Sequence, residues 1–149
     1  MRTFQLLHLV AICAIGLACD AGGADRLAIA VVPFGVSKGG SAPPVDVAVV
    51  IRADLATGDR FALIDPAALP SRPTRAAEVR FEDWRRLDVD YLVVGRVAPV
   101  HDGGHEVEFR LLDVRAQQEL AAFTLPSAPH ALGHTAHEIA RRIEERLAG

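Results

Sequence analysis

The stretch AVVPFGVSKGGSAPP, residues 30–44, runs from an apolar segment into a glycine-rich loop, which is the order found in phosphate-binding loops. A Walker loop ends in Gly-Lys-Ser/Thr, so that the lysine reaches phosphate and the hydroxyl reaches magnesium. Here Lys38 instead precedes the last glycines. Pro43 and Pro44 also lack the N–H groups with which the start of a helix binds phosphate. The pattern therefore favours a strand-to-helix connection, with no nucleotide or other cofactor.

Three histidines near the carboxyl end have a spacing that suits metal ligands. His130, His134 and His137 fall on one face of a predicted helix, and Glu138 lies beside them. Histidines four residues apart do bind zinc, but such ligands need neighbouring groups that fix their rings. The apolar stripe of this helix lies opposite, which directs the histidines to solvent, so we predict no metal site. The stripe consists of Leu132, Ala136, Ile139, Ile143 and Leu147.

Four carboxylates, Glu82, Asp83, Asp88 and Asp90, lie close together in the sequence. A carboxylate pair that performs acid–base chemistry needs a cleft that shifts one pKa, whereas these residues flank a short surface helix. The sequence contains no G-x-S-x-G motif, and no set of serine, histidine and aspartate stands out. We therefore predict no catalytic residues.

Two aromatic side chains, Phe81 and Trp84, belong to the same short segment. Large aromatic side chains contribute much of the buried area of a core, so their predicted role is to pin the short helix to a sheet. The alternative is an aromatic shelf on which Phe81 and Trp84 contact a partner protein.

The first 24 residues differ in character from the rest of the chain. A positively charged start, an apolar run over residues 6–18 and small residues up to Ala24 form the three-part pattern of a secretory signal. The apolar run is shorter than the roughly 20 residues that span a bilayer. We predict a signal peptide over residues 1–24, cleavage after Ala24, and an exported domain over residues 25–149 in a bacterial periplasm.

Cys19 leaves a second interpretation of this segment open. The tetrapeptide GLAC, residues 16–19, is similar to the end of a bacterial lipoprotein signal, although its first two residue types are in reversed order. Lipidation at Cys19 would anchor the chain to a membrane surface without spanning it. Cleavage after Ala24 would instead remove both cysteines, since the other is Cys13, and would leave no thiol.

The exported part shows the patterns of a two-layer fold. Apolar runs, helical spacing and turn residues predict the order β-α-β-(short α)-β-β-β-α. The first helix begins at Pro43 or Pro44 and ends at a Gly58 C-cap. The fold class is α/β, α+β-like in its two layers, with a mixed five-stranded sheet and helices mainly on one face. The predicted strands span residues 27–33, 61–64, 91–100, 106–113 and 119–125, and the other predicted helices span residues 82–87 and 130–147.

Composition restricts the class of partner. The chain has 149 residues, which favours one domain, and its formal net charge is −3. A nucleic-acid-binding protein would carry a clustered basic surface. No such cluster is visible in the sequence, so we expect no nucleic-acid partner.

Several short segments, taken in order, are similar to those of one protein family. The chain resembles the TolB amino-terminal domain family, from the periplasmic protein of the Tol–Pal system, over residues 27–149. Each segment alone is weak, and their order makes the resemblance specific. The segments are residues 29–34 (IAVVPF), 42–44 (APP), 53–55 (ADL), 61–65 (FALID), 68–70 (ALP), 77–79 (AEV), Trp84, 90–95 (DYLVVG) and 133–136 (GHTA).

The resemblance implies a mixed sheet with helices, no enzymatic activity, and a place in a complex that links inner membrane, peptidoglycan and outer membrane. This complex acts in outer-membrane integrity and in constriction at division. The family continues into a carboxy-terminal β-propeller that contacts the lipoprotein Pal, and this sequence ends at Gly149, where the propeller would begin. The family also carries a tail that docks on TolA. After cleavage at Ala24 only Asp25 and Arg26 would precede the first strand.

Two functional hypotheses follow from these observations. The first is a non-enzymatic periplasmic module that binds envelope proteins, with TolA-like or Pal-like partners. The alternative is a small envelope lipoprotein that scaffolds or activates a cell-wall synthase or a secretion assembly. Lipidation at Cys19 favours the alternative and is the only source of membrane contact that we expect, whereas cleavage after Ala24 favours the first.

Overall fold

A computed structural model describes residues 25–149 as one mixed β-sheet with two long helices on one face. The predictions of a signal peptide, of cleavage after Ala24 and of lipid attachment at Cys19 lie outside or at the boundary of these residues. No helix among those described is both long and apolar enough to cross a membrane. The strands are β1 (Leu27–Val31), β2 (Gly35–Val36), β3 (Phe61–Leu63), β4 (Tyr91–Pro99), β5 (His105–Asp113) and β6 (Gln118–Ser127), and the helices are α1 (Val47–Ala56), α2 (Phe81–Arg85) and α3 (Leu132–Ala148).

The sheet confirms the predicted mixture of parallel and antiparallel strands. Its order is β3-β1-β4-β5-β6, and β1 lies parallel to both of its neighbours. The unit β1-α1-β3 is therefore a βαβ unit, in which a helix connects two parallel strands. The strands β4, β5 and β6 form an antiparallel meander. The βαβ unit and the meander join where β1 pairs with β4 in parallel, near the middle of the sheet.

The short strand β2 was not predicted, and it continues the line of β1 along β4. Val31 is in register with Val93, and Gly35 is in register with Arg96. Four residue steps, from Val31 to Gly35, therefore lie opposite three residue steps of β4, from Val93 to Arg96, and the extra residue forms a bulge. The ring of Phe34 fills the space beside Gly95, where an added Cβ atom would lie 2.6 Å from a ring carbon. Two residues are too few to show the alternation that identifies a strand.

The predicted limits of α1 were wrong at both ends. The prolines of residues 43–44 precede the helix, which begins at Val47 with Asp46 as its N-cap. The Asp46 carboxylate accepts hydrogen bonds from two first-turn N–H groups at 3.0 and 3.3 Å. The Asp46 carboxylate accepts from first-turn N–H groups. A proline at the start of the helix has no side-chain acceptor and would leave these N–H groups without a partner. At the other end Thr57, in helical conformation, is the C-cap, and Gly58 lies beyond it.

Hydrophobic side chains are buried on both faces of the sheet, in two separate clusters. On the first face, α1 and α3 cover β1, β4 and β5, and the cluster includes Ile51, Ile139 and Phe109. On the second face, the irregular segment of residues 65–89 covers a smaller cluster around Trp84. This segment contains two 3₁₀ turns and α2. The prediction that helices lie mainly on one face holds for the two long helices, while α2 lies on the other.

Candidate functional site

The glycine-rich loop after β1 is bound to the sheet through its backbone. The Ser37 N–H donates to the Val97 carbonyl at 3.1 Å, and the Gly40 N–H donates to the Ser37 carbonyl at 3.0 Å. At the start of α1 the Asp46 carboxylate already occupies the first-turn N–H groups. A phosphate requires such groups to be free and is repelled by a carboxylate. The geometry is that of a connection between strand and helix.

The three histidines do not share a helix face in the way the sequence suggested. His130 lies in the turn before α3, because the helix begins only at Leu132. His134 and His137 are exposed, and His137 Nδ1 lies 2.5 Å from Asp54 Oδ2 of α1. Among residues 25–149 no group of three or more His, Cys, Asp or Glu side chains could hold a metal ion. The visible role of His137 is to join α3 to α1.

The carboxylates of residues 82–90 have separate structural roles. Asp83 forms ion pairs with arginines one turn away on either side, at 3.7 and 3.4 Å. Asp90 accepts the Ala28 N–H at 2.9 Å through one carboxylate oxygen and pairs with Arg115 Nε at 2.9 Å through the other. Its backbone N–H donates to the Ala28 carbonyl at 2.8 Å. Asp90 therefore fastens β4 to β1, and these carboxylates do not converge on one cleft.

The aromatic pair of this segment is divided between core and surface. Trp84 is fully buried, with 0% of its surface exposed, and packs in the second-face cluster. It therefore pins α2 to the sheet, and it presents no surface to a partner. Phe81 is partly buried and borders a shallow surface beside Arg80 and Arg85. The aromatic shelf proposed from the sequence is thus wrong for Trp84 and remains a prediction for Phe81.

Four charged side chains form a row across β4, β5 and β6 on the second face of the sheet. Arg96 Nε donates to Glu108 at 2.7 Å, and Arg110 donates to Glu108 at 3.1 Å and to Glu119 at 2.7 Å. Partial burial acts to raise the pKa of Glu108, but the hydrogen bonds from Arg96 and Arg110 outweigh it and hold this pKa below its usual value. Hydrogen bonds to Glu119 and Glu108 raise the pKa of Arg110. The row pairs two arginines with two glutamates and therefore compensates its own formal charge.

The strand β6 forms one edge of the sheet and, among the described residues, pairs only with β5. Its Phe123 ring is 40% exposed and stacks on Phe109, with ring centroids 5.6 Å apart. The guanidinium carbon of Arg142 lies 4.8 Å from the Phe123 ring centroid, within cation–π range. Arg146 Nε donates to the Leu120 carbonyl at 2.9 Å. These side chains line an open groove between β6 and α3, which we call the edge groove.

Sequence reasoning predicted the strands of this region but neither the charged row nor the edge groove. Alternation over residues 106–111 does place Glu108 and Arg110 on one face. Their partners Arg96 and Glu119 follow only from the strand register. The position of β6 as the last strand of a meander is the signal that could have identified the open edge.

The comparisons with known proteins agree with this fold. Residues 16–120 match the family model of the TolB amino-terminal domain. The chain belongs to the TolB amino-terminal domain family. The Tol-Pal system protein TolB of Nitrosococcus oceani is 43% identical over 131 residues, which cover 86% of this chain and 29% of that protein.

Solved structures extend the comparison to three dimensions. The crystal structure of TolB from Acinetobacter baumannii matches with a TM-score of 0.69 at 25% identity, over 82% of this chain and 28% of that one. The LpoB C-terminal domain from Salmonella enterica matches with a TM-score of 0.56 at 12% identity, over 67% of this chain and 81% of that one. The second likeness concerns the fold alone. This TolB-family chain spans about 28–34% of the length of the TolB proteins that it matches.

Proposed function

We propose that this chain is a non-enzymatic periplasmic module that acts by protein–protein contact in the Tol–Pal system of the cell envelope. The observation that carries the proposal is the match of residues 16–120 to the TolB amino-terminal domain family. The proposed role is in outer-membrane integrity and in constriction at division, and the proposed partners are the TolA and Pal proteins of the same cell. The secretory pattern of residues 1–24 supports export to the periplasm.

The local chemistry supports binding over catalysis. Glu108 is hydrogen-bonded by two arginines, and Asp90 accepts a hydrogen bond from a backbone N–H and forms an ion pair with an arginine. Catalytic acids and bases usually have pKa values matched to the operating pH, whereas the lowered pKa of Glu108 moves away from neutrality. The edge groove and the unpaired side of β6 are in contrast suited to contact with another chain.

Titration calorimetry tests the proposal. The chain is expressed with its own residues 1–24, purified from the periplasm, and titrated with the periplasmic domains of the host's TolA and Pal. We expect a dissociation constant of about micromolar or tighter, near −8 kcal/mol, for at least one of them. An unrelated periplasmic protein of similar net charge is the control, and an equal heat from that control would show that the binding is non-specific.

Mass spectrometry of the same preparation tests the export prediction. Cleavage after Ala24 predicts a chain that begins at Asp25, whereas lipidation predicts a diacylglyceryl group on Cys19 and recovery with the membrane fraction. A lipidated Cys19 together with no binding to TolA or Pal would overturn the proposal in favour of the lipoprotein scaffold.

A further inference from the structure

The backbone direction of β6 follows from hydrogen bonds on the far side of the sheet. The Ser37 N–H donates to the Val97 carbonyl, so the backbone groups of Val97 point from β4 toward β2. In an antiparallel pair, residues opposite each other either both point their backbone groups inward or both point them outward. Val107 is opposite Val97 and therefore points toward β6, where it meets Leu125. Leu125 in turn points its N–H and C=O toward β5.

Alternation along β6 then exposes the backbone groups of its other residues. Thr124 and Ala122 lie one and three positions before Leu125, so their N–H and C=O groups point away from the sheet. Pro126 lies two positions after Thr124, so its backbone groups also point away from the sheet. A proline is tolerated at such a position, because an N–H there would form no hydrogen bond to β5. The edge therefore offers the hydrogen-bonding groups of Ala122 and Thr124 to a further strand.

Two features limit the free edge. At one end, the register shift opposite Leu111 and Leu112 makes a bulge, and Arg146 occupies the Leu120 carbonyl. At the other end, Pro126 cannot donate a hydrogen bond. The free stretch is residues 121–125, which extends about 17 Å at roughly 3.3–3.4 Å per residue. A partner segment of about five residues fits this length.

The edge groove supplies the chemistry that selects such a segment. Its apolar surface consists of Leu120, Ala121 and the exposed part of the Phe123 ring. Arg142, above this ring, is paired with Glu138 at 2.7 Å, and Glu145 is paired with Arg141. Arg146 bonds a neutral carbonyl and has no carboxylate partner among residues 25–149. The groove thus combines an apolar surface with the Arg146 guanidinium, which forms no ion pair with the described residues.

We propose that β6 receives an extended, acidic segment of a partner protein as an added strand. The segment hydrogen-bonds to Ala122 and Thr124, places an apolar side chain over Phe123, and places a carboxylate at Arg146. This inference rests on the proposed function as an interaction module and deepens it by naming the surface and the partner's chemistry. A second copy is the less suitable occupant, because the free stretch of β6, residues 121–125 (AAFTL), contains no carboxylate that could pair with Arg146.

The test uses two peptides that differ only in charge, TETVTET and TKTVTKT, added to the ¹⁵N-labelled chain. Each presents one valine between two charged residues on the same face of a strand. We expect the acidic peptide to shift the Ala122 and Thr124 amide signals and to slow their hydrogen exchange. The basic peptide should bind on the order of tenfold more weakly. Failure of the acidic peptide to protect these amides at millimolar concentration would overturn the proposal.

Variants of Thr124 and Arg146 distinguish strand pairing at the edge of β6 from non-specific peptide binding. Thr124→Pro removes an outward N–H without touching the ladder to β5, so peptide binding should be lost. Thr124→Val keeps the N–H and should keep binding. Arg146→Gln should reduce the preference for the acidic peptide over the basic one. Equal binding by Thr124→Pro and Thr124→Val, or a dimer of the chain alone that Thr124→Pro dissociates, would contradict the proposal.

The proposed edge site and the proposed function in the Tol–Pal system can fail independently of each other. If Thr124→Pro still binds TolA or Pal as the unchanged chain does, the proposed function stands and the edge site is wrong. If the acidic peptide protects Ala122 and Thr124 while neither TolA nor Pal binds, the edge site stands and the assignment to the Tol–Pal system is wrong.

Discussion

The two faces of the sheet are covered in different ways. On the first face, α1 and α3 bury regular stripes of apolar side chains, so that burial is divided among many residues of similar size. On the second face, an irregular segment covers only part of the sheet, and one large side chain, Trp84, lies at the centre of its cluster. The remaining area carries the charged row of Arg96, Glu108, Arg110 and Glu119. A regular helix thus distributes stabilisation, whereas an irregular segment concentrates it in one anchor.

The largest effect should come from removing that anchor. Trp84→Ala deletes a fully buried indole, and we expect a loss of about 3–5 kcal/mol in the free energy of unfolding, measured by urea denaturation. Trp84→Phe is the matched control. It retains most of the apolar volume and removes an indole N–H that has no acceptor among the described residues, so it should cost less. A loss below about 1 kcal/mol for Trp84→Ala would show that the second face does not depend on one anchor.

A single substitution in the helix-covered face should cost somewhat less. Ile139 is fully buried in the α3 stripe, and Ile139→Ala should lower the free energy of unfolding by about 2–5 kcal/mol. Ile139→Val, which removes one methylene, should cost about 0.5–1.5 kcal/mol. Urea denaturation of both variants checks the values. A cost for Ile139→Ala above that of Trp84→Ala would reverse the comparison between the two faces.

The N-cap of α1 should have a smaller effect. Asp46→Ala leaves two first-turn N–H groups without their acceptor, and we expect a loss of about 1 kcal/mol. Asp46→Asn keeps an oxygen acceptor and should remain near the unchanged chain. Thermal denaturation of the three proteins, monitored by circular dichroism, distinguishes them. Equal losses for both variants would mean that the charge of Asp46, and not its hydrogen bonds, stabilises the helix.

The charged row should give the smallest effect and the clearest pH dependence. Glu108→Gln should cost about 1 kcal/mol or less at neutral pH, because the row is partly exposed. The pKa of Glu108 is lower in the folded chain than its ordinary value of 4.5. The protein therefore gains stability from Glu108 above pH 4.5 and loses it as the pH falls toward the folded pKa. The difference between the two proteins, measured by urea denaturation from pH 7 downward, should shrink through that range, and a difference independent of pH would contradict this account.

The regular elements could be predicted from the sequence because their residues repeat. Val47, Ile51 and Leu55 recur at four-residue spacing, and all three are buried. The pairing of β2 with β4 could not be predicted, since two residues have no period. Contacts between distant elements were also out of reach. The contact of His137 with Asp54 joins residues 83 positions apart, and nothing in either local pattern indicates the other.

For the candidate surface, too, the local strand could be predicted and the contacts between distant elements could not. The sequence predicted a strand at residues 119–125. It did not show that Thr124 points its backbone outward, because that direction depends on the register of three strands. Nor did it show that Arg146 bonds a strand carbonyl, because the helix position above β6 is set by packing of α3 on the sheet.

The bond from Asp90 to Ala28 has a consequence for how quickly the chain reaches and leaves its native state. The meander of β4, β5 and β6 joins neighbours in sequence, whereas Asp90 and Ala28 are 62 residues apart. Closing a long loop costs more entropy than closing a hairpin, and distant pairings slow folding. We expect the meander to be largely formed when β1 enters beside it, so that contacts of Asp90 form after the rate-limiting barrier. Weakening this fastening should shorten the lifetime of the native protein while leaving its folding rate nearly unchanged.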